Sequence, residues 1–251
     1  MTEELLYQAI ELGERLLLSG AEVSRVEESL TRICKAYGAK RCDVYCTTSS
    51  IVVSVERQDG SVITQTRRIT SASTDIEKLD YLNNLSRYIA AEKPPCEVIR
   101  NKLKKLESIK QYHPALIIFC YALIAGAFTL FFGARTLLEI VFSFIIGGII
   151  GIINMYGEKL GFQKLLLKLV CSFCACTLAF LAAKIPTVPT VDNIIIGNVM
   201  SLIPGIGLTN AMRDLFTGDV NTGILRSIDA LLLGIAIAAG YILSAFLMGG
   251  V

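Results

Sequence analysis

The chain has 251 residues, 53% hydrophobic and 18% charged, with 24 Lys and Arg against 22 Asp and Glu, a net charge of +2 and a mean hydropathy of +0.57. That apolar share exceeds the roughly 45–50% usual for soluble domains, and the balanced charge excludes a nucleic-acid-binding stripe or an acidic disordered tail. The charges are unevenly placed: 17 of the basic and 16 of the acidic residues precede residue 113, leaving 7 and 6 for the remainder.

The N-terminus is acidic and periodic, without a charged-then-apolar leader, so no cleaved signal peptide is expected. Leu5, Leu6, Ala9, Leu12, Leu16 and Leu17 make one stripe of a helix over 3–19, ended by Ser19-Gly20. Val23, Val26, Leu30, Ile33 and Tyr37 repeat the pattern over 22–37, with Gly38 as a stop. The period then becomes two: Cys42, Val44 and Cys46 alternate, then Ile51, Val53 and Val55, and Asp59-Gly60 predicts a hairpin turn before Val62-Ile63-Thr64. Ile76, Leu79, Leu82, Leu85 and Ile89 return to helical spacing, with Ser73 or Thr74 as the expected cap. Pro94-Pro95 opens a fourth, basic helix with Arg100, Lys102, Lys104, Lys105 and Lys110. Residues 1–112 therefore read as a small α+β domain, long enough for one modest core.

From Ala115 onward the pattern is a series of apolar runs. The stretches 115–132, 137–156, 165–183, 191–209 and 227–248 each have the length needed to cross hydrocarbon. The fold class expected is thus an α-helical membrane protein with five transmembrane helices (113–251), preceded by a small cytoplasmic α+β domain. The basic helix before the first span places that domain in the cytoplasm. Lys159, Lys164, Lys168, Arg213 and Arg226 then fall on or near inside connections, against Arg135 and Lys184 outside, and the C-terminus lies outside.

Eight cysteines raise the question of a disulfide or metal framework. Cys120, Cys171, Cys174 and Cys176 lie in apolar runs and Cys34, Cys42, Cys46 and Cys96 in the cytoplasmic part, where thiols stay reduced. Helical spacing spreads Cys171, Cys174 and Cys176 around the axis and no histidine is near, so they read as small apolar fillers. No metal and no cofactor is expected.

The fourth run is interrupted by Pro204, Gly205 and Gly207, with Asn198 and Asn210 flanking. Proline removes a backbone donor and clashes with the preceding turn. Such a break inside hydrocarbon is tolerated against protein or a water-filled cavity, and broken helices at that depth offer free peptide groups to a polar substrate. Arg213, just beyond, suits a carboxylate. Asp214 and Asp229 are candidates for proton coupling or gating. Asn154, near the end of the second run, is a further polar group. In the N-terminal domain the densest polar motif holds Glu22, Arg25 and Glu27, with Glu22 and Arg25 spaced to pair. Thr48 and Ser49 belong to a hydroxyl-rich link between strands. A hydrolase would use one of them as nucleophile, but the one histidine, His113, is distant in sequence, and turn formation is the simpler role.

Two segments carry a family likeness. Leu12–Glu27 (LGERLLLSGAEVSRVE) resembles the start of the threonine/serine exporter family, and Ser201–Asp219 (SLIPGIGLTNAMRDLFTGD) resembles its membrane motif. The likeness extends over essentially the whole chain. Full-length members carry about twice as many spans as the five counted here, so the chain is similar to the larger component of the split, two-polypeptide type, some members of which are linked to succinate export. The resemblance implies a multi-pass protein of the bacterial inner membrane that exports a small amino acid or dicarboxylate, coupled to the proton gradient, in contact with membrane lipid. It also implies a small companion subunit of four or five spans and a hetero-oligomer; no nucleic-acid partner is expected, since neither half carries a basic stripe. A membrane-anchored hydrolase and a regulatory or scaffolding membrane protein are the alternatives.

Overall fold

The computed structural model describes residues 2–70, 74–106, 112–185 and 190–249. They fall into two compact units: Met1–Lys110 with Gly207–Ser227, and Gln111–Ile206 with Ile228–Val251. The segment that follows the Pro204 break thus groups with the N-terminal residues.

In the first unit, α1 (Glu3–Leu18) and α2 (Val23–Ala36) precede a three-stranded antiparallel meander, β1 (Arg41–Cys46), β2 (Ser50–Glu56) and β3 (Val62–Arg68), in the order β1-β2-β3. The central strand alternates strictly, with Ile51, Val53 and Val55 fully buried, as period-two patterning requires of a sheet covered on one face. The cover is the stripe of α1 (Leu5, Leu6, Ala9, Leu12, Leu16) and that of α2 (Val23, Val26, Leu30, Ile33). At Gly13 the helices approach so closely that a Cβ would lie 3.0 Å from Leu30 Cδ1. The Asp59–Gly60 turn has Gly60 at φ 82°, the left-handed region that favours glycine.

α3 (Ile76–Glu92) and α4 (Cys96–Lys105) complete the N-terminal core. The cap of α3 is Asp75, whose carboxylate accepts from Lys78 N at 3.1 Å, not Thr74; Ser73 and Lys110 lie outside the described residues. A carboxylate directly preceding the first helical turn meets both the free N–H groups and the positive end of the dipole. Tyr81 Oη and Arg15 Nη1 donate to the carbonyls of Lys102 and Leu103, tying α4 down.

The second unit is helical. α5 (Pro114–Phe131), α6 (Leu137–Lys159) and α7 (Lys164–Ala183), with α10 (Val220–Met248), are four helices long and apolar enough to cross a membrane. α8 (Val191–Met200) and α9 (Gly205–Thr217) form a pair bent by 58°, which makes five if the pair counts as one span. The fourth run is therefore two short helices extending to Thr217 rather than one ending at 209, and α10 begins at Val220 rather than at 227. Polar Asn221, Thr222 and Arg226 hid that start from a hydropathy reading, because helix geometry needs no apolar side chains.

Small residues set the packing of the second unit, as expected where lipid removes the hydrophobic drive between helices. A Cβ on Gly147 of α6 would lie 2.5 Å from Ala125 Cβ and 2.9 Å from Tyr121 O of α5. One on Gly240 of α10 would lie 2.5 Å from Leu169 O of α7. Cys171 and Cys176 are buried among Ala175 and Ala179 and fill the same role. Many apolar side chains stay outside, Phe131 at 78% and Phe246 at 82% exposed.

A Cβ on Gly197 would stand 1.9 Å from Thr129 Oγ1. Gly197→Ala is expected to destabilise the helical unit by about 1–3 kcal/mol, read as a lower melting temperature in detergent. Gly234→Ala, with nothing within 4 Å, serves as the neutral control.

Candidate functional site

The two motifs separated by some 190 positions in sequence meet in the first unit. Arg213 of α9 is ion-paired with Glu22, the residue preceding α2. Glu22 also faces Arg25 Nε at 3.6 Å, so it serves two guanidiniums. One residue on, Asp214 is 1% exposed and its Oδ2 lies 3.0 Å from Arg226 Nη1 in the first turns of α10. The second arm of Arg226 donates to Ala21 O at 3.1 Å. One guanidinium thus holds α9, α10 and the α1–α2 turn together. The turn between α9 and α10 is closed by Asp219 N donating to Asp214 O at 2.9 Å, and Gly223 lets α10 pass close to Leu215.

The cluster is acidic on balance. Glu22, Asp219 and Arg213 are electrostatic neighbours of Asp214, and Asp219 is also a neighbour of Glu27, giving four carboxylates with three guanidiniums. Both Asp214 oxygens and Arg226 Nη1 lack a well-directed hydrogen bond, so the pair is held by charge and proximity. Glu27 accepts from Cys46 N at 2.7 Å. Burial, the larger influence, and the Asp219 charge raise its carboxyl above 4.5, against the lowering effect of that bond. Glu27 also lines an open groove of about 700 Å³ with Ser24, Thr31, Arg32, Lys35 and Asp43.

Thr48 and Ser49 are not part of this cluster. Thr47 Oγ1 accepts from Ser49 N and Ser50 N at 3.3 and 3.0 Å, a turn device between β1 and β2. His113 caps α5, where its Nδ1 accepts from Ala115 N. Burial, with Glu27 and Asp219 adding their charge, pushes the Cys46 thiol up to about 12, which makes it a poor nucleophile.

The break itself runs over Ser201–Pro204. Pro204 is half-buried, Gly205 and Gly207 are exposed, and Asn210 is half-buried on α9. Asn198 sits in the last turn of α8 and is fully buried in the helical unit. Its Nδ2 donates to Ser143 Oγ and to Ile194 O, both at 2.9 Å, while its Oδ1 has no partner among the described residues. Ser143 Oγ lies 2.6 Å from Thr129 Oγ1, and both hydroxyls reach Ala125 O. Asp229 is exposed on α10 and joins neither group. Asn154 links Glu158 and Lys168, donating to the first at 2.8 Å and accepting from the second at 3.0 Å.

The sequence reading passed over Arg226, Glu139, Ser143 and Thr129. Arg226 was hidden as one more positive charge beside a span. Ser143 and Thr129 had a usable signal, since both are hydroxyl residues inside apolar runs.

The apolar helices and the broken pair define a multi-pass membrane protein with an attached α+β unit. The sequence model described as a threonine/serine exporter (ThrE) matches residues 8–248, and the chain belongs to that family of transporters. It is 25% identical over 97% of its length to the "Probable threonine/serine exporter" of Mycobacterium tuberculosis (strain ATCC 25618 / H37Rv), covering 46% of that protein. It is 23% identical over 96% of its length to the "Probable succinate transporter subunit YjjP" of Escherichia coli (strain K12), covering 93% of it. A "Threonine/serine exporter" of Corynebacterium glutamicum is 24% identical over 92% of this chain, which covers 49% of it. The chain thus spans about half the length of the two relatives named as exporters. No solved structure matches it.

Arg226→Gln leaves Asp214 buried without its cation and is expected to cost about 3–5 kcal/mol, seen as earlier unfolding of the first unit. Glu27→Gln keeps an acceptor for Cys46 N. Because the Glu27 carboxyl is raised in the fold, its contribution to stability is fully present below its unfolded value and is lost as pH rises through its folded value. The variant should match the parent in acid and be the more stable one at neutral pH, in melting curves taken across that range.

Proposed function

We propose that the chain is a subunit of an inner-membrane secondary transporter that exports a small amino acid or dicarboxylate, of the threonine/serine or succinate class, in exchange for protons. The observation that carries this reading is the convergence of the two family motifs at Glu22, Arg213 and Asp214, with Arg226 pairing Asp214. A helix broken in its membrane run and tied by a charged end to an α+β unit has the parts of a substrate path with a gate.

In this reading the cargo is held along the break, by peptide groups near Pro204, Gly205 and Gly207 and by the amides of Asn198 and Asn210. Arg213 is the anion partner. Its side chain is 51% exposed, and its contact with Glu22 is one a substrate carboxylate can replace. Asp214, fixed by Arg226, acts in gating, and the exposed Asp229 is the weaker candidate. Glu22, Arg25 and Glu27 form the receiving surface on the N-terminal unit.

Counting the bent pair as one crossing gives five spans. The positive-inside pattern supports a cytoplasmic N-terminal domain (1–112) and a C-terminus outside. The exposed apolar faces of α9 and α10, including Phe216 at 84%, suit lipid or the helices of a companion subunit. The relatives named as transporter subunits support a two-part assembly.

The test is reconstitution with the companion subunit and efflux of labelled threonine, serine and succinate; absence of efflux for all three overturns the reading. Arg213→Gln should lower efflux of the transported acid roughly tenfold or more, the loss expected for one charge-assisted hydrogen bond. An unchanged rate removes Arg213 from the path.

A further inference from the structure

The helical unit contains four acidic residues among those described: Glu139, Glu158, Asp192 and Asp229. Three are exposed; Glu139 is 0% exposed. It stands in the first turn of α6, and its carboxylate meets neutral donors: Arg135 N at 3.1 Å, Thr136 Oγ1 at 3.2 Å and Asn193 Nδ2 at 3.4 Å. Among the described residues it has no ion-pair partner. α5 carries no charged side chain. On α7, Lys164 and Lys168 stand at the opposite end, and Lys184 follows its last turn, exposed. Arg135 on the preceding connection and Asp192 on α8 are exposed too, and Glu158 and Lys159 close the far end of α6.

A helix cap explains part of this arrangement. Thr136 and Glu139 have capping-box spacing, and Glu139 N donates to Thr136 Oγ1. A cap does not require burial, however; at most helix ends such a carboxylate is left in water. Here the charge is removed from water, and three neutral donors return only part of the lost solvation. An ionisable group buried in a membrane bundle marks an ion or proton path by default.

The polar contacts continue from this point. Ser143 lies one turn along α6 from Glu139, and Asn198 one and a half turns along α8 from Asn193. Ser143 Oγ accepts from both Thr129 Oγ1 and Asn198 Nδ2, and all three residues are fully buried. The two hydroxyls lie 3.1 and 2.9 Å from Ala125 O and 2.6 Å from each other. The Thr129 hydroxyl has two acceptors, Ser143 Oγ and Ala125 O, while Ser143 Oγ donates to Ala125 O and accepts from both Thr129 and Asn198, so a shift of one member is felt by the others. Asn198 Oδ1 is an unused acceptor at its edge. Ser201 Oγ then donates to Asn198 O at 2.7 Å, at the start of the break.

We propose that Glu139 carries the coupling proton of the exporter, with Ser143, Thr129 and Asn198 transmitting its state to the break. The proposal rests on the exporter reading given above. A proton from the outer face adds to one carboxylate oxygen and later leaves from it toward the inside; no other bond is made or broken. Neutral Glu139 no longer demands all three donors, and release of Asn193 loosens the start of α8. Cargo leaves in the opposite direction during the same cycle.

The experiment compares parent and Glu139→Gln in proteoliposomes holding the full chain with its companion subunit. Two rates are measured with the transported acid: net efflux driven by an inward proton gradient, and exchange of labelled for unlabelled substrate without a gradient. Glu139→Gln should lose net efflux at least tenfold and keep exchange within about twofold; Glu139→Asp should recover part of the net rate. Equal loss of both rates with an unchanged melting temperature, or loss of neither, overturns the proposal. A second measurement needs no transport. Infrared difference spectra of the substrate-free parent between alkaline and acid pH should contain the C=O stretch of a buried carboxylic acid, absent from Glu139→Gln. A parent without that band overturns the role of Glu139, whereas a band with no efflux of any substrate points to failure of the exporter reading.

Discussion

A carboxylate taken out of water beside one guanidinium is the constraint on which the first unit depends. Asp214 and Arg226 add little net stability, because the cost of desolvating both ions is close to their attraction. What they supply is register. Arg226 reaches Asp214 with one arm and Ala21 O with the other, so within the first unit residues 207–227 are fixed against the α1–α2 turn. Arg213 can then meet Glu22 only where it does. The surrounding contacts tolerate this closeness because Gly223 leaves room for Leu215.

The second unit obeys a different rule. With lipid outside, apolar side chains gain little by facing each other, and contact is won by close approach of backbones. Gly147, Gly197 and Gly240 each admit a neighbouring helix to a distance a Cβ would forbid. That closeness brings Thr129, Ser143 and Asn198 together and removes Glu139 from solvent. Packing and polar chemistry are therefore one feature here, since the glycines that join α5, α6 and α8 also bring about the buried hydroxyl and amide cluster.

Much of the fold was legible. The strand alternation at Ile51, Val53 and Val55, the stripes of α1 and α2, and the apolar runs of α5 to α7 follow from periodicity and length. Pro204 and its glycines marked the break correctly. The start of α10 was not legible, because its first turns are polar and hydropathy responds to side chains rather than backbone hydrogen bonds. Nor was the cap of α3: Thr74 and Asp75 are equally good capping residues, and only backbone geometry selects one. Of the candidate residues, Glu22, Arg25 and Arg213 are in ionic contact, Asp214 and Glu27 lie in the same cluster, and Asn198 and Asp229 belong elsewhere. Linear spacing within α2 was enough to pair Glu22 with Arg25, but nothing in it could pair Glu22 with Arg213.

By itself the sequence determined the kind of protein: length, hydropathy and two motifs suffice for an α+β segment, membrane helices and the exporter family, because these depend on local periodicity and on similarity. Only the tertiary structure decided which charges are partnered. Whether a carboxylate meets a guanidinium, as Asp214 does, or, among the described residues, neutral donors alone, as Glu139 does, depends on helices distant in sequence. Desolvation and Coulomb attraction act through space and leave no trace in the order of residues.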